Sequence, residues 1–135
     1  MTSNIGSENN IHANHLNIFI FLSSLLLSSI NSNLNIDGGY IRFAGSGSYF
    51  AVYCKKNNRI SSNLYLQTTP SAAGYKTVAT LPEKARPRNI IYSTYLNDLT
   101  LQTLPVKVNP TGKIEAYFME AGKVSNVLCN LIFDI

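Results

Sequence analysis

Both histidines, His12 and His15, fall in the first fifteen residues. The body of the chain therefore has no imidazole to serve as general base or metal ligand. After Asp37 the carboxylates are Glu83, Asp98, Glu115, Glu120 and Asp134, spread over separate turns and strand-like runs. A paired acid/base site would need folding to gather them. Cys54 and Cys129 each lie in an apolar run and lack the paired spacing of a zinc site. They read as two buried thiols behaving as small hydrophobes, with a disulfide between them as the alternative. Gly45-Ser46-Gly47 lacks the Lys-Ser/Thr ending and following helix of a phosphate loop, so it reads as a hairpin turn. Glu83 and Arg86 read as an exposed ion pair or solvated turn charges. These residues predict no catalysis, no metal and no cofactor. What remains is tyrosine, present eight times. Tyrosine offers a stiff contact area with a polar tip, which suits a sugar ring. Most of the eight read as cross-strand packing. Tyr92, Tyr95 and Asn97, near the end of one strand-like run, are the candidate ligand-binding residues.

A length of 135 residues suits one domain with its own core. Charged residues make up 13%, against roughly 25% in soluble domains. The polar surface must then come from Asn, Ser, Thr, Tyr and Gln, which suits a neutral polar ligand or a stable oligomer. The net charge is +4, and all 11 Lys and Arg follow Asp37. They are scattered, with Lys55-Lys56 as the one adjacent pair. This predicts a solvated, mildly basic surface and no nucleic-acid partner.

The elements that must position these residues fall into two regions. Residues 1–32 form a tail and an apolar stem segment; residues 33–135 form a β domain. Residues 1–15 are rich in Asn, Ser and Gly. Residues 16–30 are the most apolar stretch and admit three readings. A secretory signal would need a basic leader and a small-residue cleavage site. A membrane span would need about 20 apolar residues, whereas this run is shorter and carries Asn17 and four serines. The third reading is an oligomeric stem, with Ile11, Ile18 and Leu25 at heptad spacing and Leu16, Phe19, Leu26 and Ile30 as a second stripe.

From Leu34 on, the pattern has period two, the signature of strands. Strands are predicted over 40–44, 48–55, 60–69, 75–80, 89–95, 99–108, 113–118 and 124–135. Leu99, Leu101 and Leu104 are expected to face inward, and Pro105 to mark an edge or a bulge. Residues 56–59, 109–112 and 120–123 read as turns, the second through Pro110 and Gly112. The segment 81–87, with Pro82 and Pro87, reads as a stiff, ordered crossover. Val127, Cys129, Leu131, Phe133 and Ile135 make the cleanest alternating face, which places the last strand mid-sheet. The fold class is therefore all-β: an antiparallel jelly-roll-like sandwich preceded by a short N-terminal stem or helix.

Three segments resemble the distal head domains of bacteriophage tail-fibre and baseplate receptor-binding proteins, which are trimeric jelly rolls of the C1q and tumour-necrosis-factor shape. The first is Thr77-Val78-Ala79-Thr80-Leu81-Pro82-Glu83-Lys84-Ala85-Arg86-Pro87, similar to that family's strand, Leu-Pro, spacer and Arg-Pro. The second is Val106-Lys107-Val108-Asn109-Pro110-Thr111-Gly112-Lys113-Ile114, similar to its strand–turn–Gly-x-Ile hairpin. The third is the closing alternating strand. Residues 33–41 also look like a fibre stem meeting a head. The final strand departs from the family in ending Phe133-Asp134-Ile135 where a tyrosine is usual. The resemblance implies a homotrimer at the tip of a virion fibre that binds host cell-wall saccharide without cleaving it. Alternatives are a structural head or collar fibre component with no ligand, and a bacterial surface β domain tethered to a membrane through residues 16–30.

Overall fold

A computed structural model describes residues 39–135. Ile41–Ile135 forms one compact unit, whose fold is set out below. The stem segment 16–30 lies outside the described residues.

Eight strands form: β1 Ile41–Ala44, β2 Phe50–Lys56, β3 Arg59–Thr68, β4 Gly74–Thr80, β5 Ile91–Asn97, β6 Gln102–Val108, β7 Lys113–Phe118 and β8 Ser125–Asp134. All pair antiparallel, in one sheet of order β1-β2-β3-β8-β5-β6-β7-β4. The all-β antiparallel sandwich expected from the sequence is what forms. Its two halves are β1-β2-β3-β8 and β5-β6-β7-β4. They are joined where β5 meets β8 through just two residue pairs, Leu96 with Leu128 and Asn97 with Val127. The sheet curls at that seam, and its edges β1 and β4 approach one another. The strands β5, β6 and β7 form a meander, with β8 returning beside β5 and β4 beside β7. Each arrangement is a Greek key.

Alternation along each strand fills the interior. In β8, Val127, Cys129, Leu131 and Phe133 are all buried. They share one core with Tyr53, Leu64, Tyr95, Val106, Ile114 and Phe118. Fully burying each large side chain contributes about 1.5–3 kcal/mol. Ring pairs fix the layers, Phe43 against Tyr53 at 5.9 Å and Tyr95 against Phe118 at 6.0 Å. β8 sits between β3 and β5, so the cleanest alternating face belongs to a central strand, as expected.

The crossover that carries the chain from β4 to β5 is ordered by the turn it crosses. Leu81 N donates to the Gly112 carbonyl at 2.9 Å, and Arg86 Nε donates to the Leu81 carbonyl at 3.2 Å. Leu81, Ala85 and Pro87 are buried, and a 3-10 turn spans Glu83–Ala85. The turn itself closes through Gly112 N to Asn109 O at 2.8 Å and Asn109 N to Lys113 O at 2.9 Å. Gly112 has φ +89, a conformation open to glycine at little cost. Arg86 thus serves the crossover's own backbone rather than pairing with Glu83.

The structure corrects several details. Leu99 and Leu101 do not face inward: they are 54% and 77% exposed. They lie in the β5–β6 turn, where Leu101 N and Thr100 N both donate to Asn97 O. Asn97 Oδ1 also accepts from Leu99 N at 3.2 Å, an Asx-type capture that stops the strand. Leu104 does pack against the core. β5 runs from Ile91 to Asn97 rather than from Asn89. Pro105 lies in an interior strand, yet the β6–β7 ladder begins at Val106, so the proline stands just outside it.

Candidate functional site

The three residues singled out by sequence do not share a surface. In β5 the positions 91, 93, 95 and 97 face the core, and 92, 94 and 96 face outward. Tyr92 is 70% exposed. Tyr95 is 1% exposed, and its hydroxyl donates to the Tyr117 carbonyl at 2.6 Å. Burial raises the Tyr95 pKa to about 12. Asn97 is 5% exposed, and its Oδ1 accepts from the backbone N–H of both Leu99 and Asn126 at 3.2 Å. Tyr95 and Asn97 are therefore buried and hold strands and a turn together through the Tyr95 hydroxyl and the Asn97 Oδ1. This corrects their assignment as ligand-binding residues.

Tyr92 belongs to a different group, on the outer face of the β5-β6-β7-β4 half. Register places it opposite Lys107, Lys107 opposite Glu115, and Tyr75 opposite Tyr117. Lys107 Nζ stands 4.3 Å from the centre of the Tyr75 ring and 3.8 Å from Glu115 Oε1. Asn109 Nδ2 donates to the same Glu115 oxygen at 2.5 Å. The Tyr75 and Tyr117 rings meet edge to face at 5.2 Å. The Lys107 and Glu115 side chains are about one quarter and one fifth exposed, 25% and 21%, so the sheet holds them without removing them from solvent. A cation over an aromatic face is worth about 0.5–1 kcal/mol at such a site. It also fixes the ring.

This face combines aromatic area with a donor (Lys107), an acceptor (Glu115) and an amide (Asn109). It can stack against an apolar sugar face and hydrogen-bond to hydroxyls. Among the described residues no cluster of three His, Cys, Asp or Glu side chains is placed to hold a metal ion. The sequence named Tyr92 but missed Tyr75, Lys107, Asn109, Glu115 and Tyr117. They come from three other strands and a turn, and only the register joins them.

A second polar cluster lies on the outer face of β3 and β8. Gln67 Nε2 donates to Tyr49 Oη at 2.9 Å and to Asn126 Oδ1 at 3.1 Å. Asn126 Nδ2 reaches Tyr65 Oη at 3.4 Å, and Tyr65 Oη donates to Asp98 Oδ2 at 2.9 Å. Burial, followed by the Asp98 carboxylate beside it, raises the Tyr65 pKa to about 12. Its groups bond mainly to one another, and it ties the β5–β6 turn to β3 and β8. Cys129 is buried and Cys54 half-buried, and no disulfide joins them. Burial raises the Cys129 thiol to about 12.

No known protein-family model matches this chain, and no curated protein sequence matches it.

Proposed function

We propose that the β unit is a non-catalytic recognition module, the head of a viral fibre, that binds saccharide on the host cell surface. The binding face is the outer surface of β4 to β7 with Tyr75, Tyr92, Lys107, Asn109, Glu115 and Tyr117. The observation that carries this reading is the Lys107 ammonium held between the Tyr75 ring and Glu115 on an open sheet face. Tyrosine faces flanked by fixed donors and acceptors suit a polyhydroxylated, weakly charged ligand. The low proportion of charged residues agrees with it. The protein acts as a homotrimer, in which three weak sites gain avidity of about 10²–10⁴ on a surface bearing many copies of the sugar.

The test is a glycan array and a whole-cell binding assay with the full chain, beside its mass in solution. The reading expects a trimer that binds saccharide. Tyr75→Ala and Tyr92→Ala should each weaken binding about tenfold or more, and Tyr92→Ala should leave the thermal midpoint within a few degrees. A trimer that binds no glycan would support a structural fibre component instead. A monomer would overturn the fibre reading altogether.

A further inference from the structure

We propose that one end of the β unit, which borders the tyrosine face at Tyr92 and Asn109, binds a linear anionic polysaccharide. Antiparallel strands return every second connection to the same end. The β2–β3 hairpin, the β4–β5 crossover, the β6–β7 turn and the end of β8 therefore share one rim. Two hydrogen bonds fix its parts. Leu81 N donates to Gly112 O at 2.9 Å, and Ile135 N donates to Asn58 O at 2.8 Å.

Charges that are scattered along the sequence converge there. Of the 11 Lys and Arg, seven belong to this end: Lys55, Lys56, Arg59, Lys84, Arg86, Arg88 and Lys113. The acidic side chains beside them are Glu83 and Asp134. Six of the seven cations are exposed; Arg86 is half-buried, bonded to the Leu81 carbonyl. Arg59 meets Asp134 at 3.2 Å, but both side chains are largely in solvent. Such a pair is held weakly and yields to a stronger anion. At the opposite end Arg42, Lys76 and Lys123 stand against Asp98 and Glu120, an excess of one cation. There Arg42 is directed at the Gly45 and Gly47 carbonyls, and Lys123 lies 3.0 Å from Glu120. The larger excess of positive charge is thus at the first end.

A depression of about 790 Å³ on this rim is lined by Lys56, Asn57, Arg59, Ser61 and Asp134 among others. Its cations and small polar groups suit a sulfate, phosphate or carboxylate carried on a sugar. The other exposed cations extend around the rim and suit further repeats of the same chain. Stacking platforms, on which single-stranded nucleic acid binding relies, are sparse: Tyr92 is the one exposed aromatic near this end among the described residues. The surface therefore matches an anionic glycan better than a nucleic acid.

The test uses the full chain in solution with dextran sulfate, with uncharged dextran as the backbone control and a single-stranded DNA oligomer as the competing class. Dextran sulfate should bind at about 50 mM salt, with affinity falling steeply as salt rises; dextran should not bind through this end. The combined variant Lys56→Gln, Arg59→Gln, Lys84→Gln and Arg88→Gln should weaken dextran sulfate binding at least tenfold. It should also lower the log–log salt slope by about one for each contacting cation removed. Lys123→Gln, at the other end, should leave it unchanged. Binding of uncharged glycans by the combined variant should stay as in the unsubstituted chain, which separates this proposal from the saccharide reading above. Undiminished binding by the combined variant would overturn the proposal. So would DNA binding as tight as dextran sulfate, or a salt-independent affinity of the unsubstituted chain.

Discussion

Replacing Gly112 with alanine tests whether the crossover is truly seated on the β6–β7 turn. Gly112 has φ +89, and a Cβ placed there would lie 2.7 Å from Leu81 O, 2.7 Å from Arg86 Nε and 3.1 Å from Arg86 Cγ. The left-handed backbone alone costs about 1–2 kcal/mol for an L-residue. The contact with Leu81 O is with backbone, so relief requires the crossover to lift. Lifting stretches the bond from Leu81 N to Gly112 O, worth about 1 kcal/mol. The expected loss is about 2–4 kcal/mol. At roughly 4–8 °C per kcal/mol for a unit of this size, the thermal midpoint should fall by about 8–32 °C. Urea denaturation followed by far-UV circular dichroism measures the loss. Thr111→Ala, an exposed neighbour in the same turn, should stay within about 0.5 kcal/mol. In an Arg86→Ala background the side-chain contacts vanish while the Leu81 O contact and the φ strain persist. The effect of Gly112→Ala should then shrink by about 0.5–1.5 kcal/mol without disappearing. A loss below about 0.5 kcal/mol in the unsubstituted background would refute the seating of the crossover.

Three further outcomes follow from the buried polar groups. Tyr95→Phe removes the bond to Tyr117 O and should destabilise by about 1–2 kcal/mol in thermal denaturation, whereas Tyr92→Phe should be neutral and Tyr95→Phe should leave glycan binding intact. Asn97→Ala leaves Leu99 N and Asn126 N without their acceptor, and urea midpoints should report a loss of about 2–3 kcal/mol. The third outcome concerns pH. Tyr65 and Tyr95 are raised from 10.0 to about 12, and Cys129 from 9.0 to about 12. The folded state therefore holds these protons more tightly than the unfolded chain. Their contribution is complete below about pH 9 and is lost as pH rises from there to about 12. Stability measured across that window should fall, and less steeply in Cys129→Ala, Tyr95→Phe and Tyr65→Phe; a flat profile would contradict the burial of these groups.

The strand content was legible because apolar alternation over eight or ten residues has one simple solution, and β8 is the clearest case. The 109–112 turn was legible from Pro110 and Gly112, whose backbone preferences are intrinsic. Leu99 and Leu101 misled because their spacing continues the period of a strand. The competing signal was Asn97, whose side chain captures Leu99 N and ends the strand. The candidate site was legible only at Tyr92. Strand parity alone separates Tyr92 from Tyr95 and Asn97, since odd intervals, here three and five, place residues on opposite faces. Which face was the core depended on partner strands. The cluster around Lys107 depended on the register of four strands, which hairpin lengths do not reveal for the β4–β7 pair.

The curl of the sheet also bears on how such a chain avoids edge-to-edge stacking with its copies. A β protein with few charged side chains offers unpaired amides and carbonyls wherever a long flat strand ends a sheet, and these invite cross-molecule stacking. Here one margin, β1, is four residues long, and the other, β4, is kinked between Thr77 and Ala79. Because the two margins also approach each other, a newly folded chain offers little template for runaway aggregation.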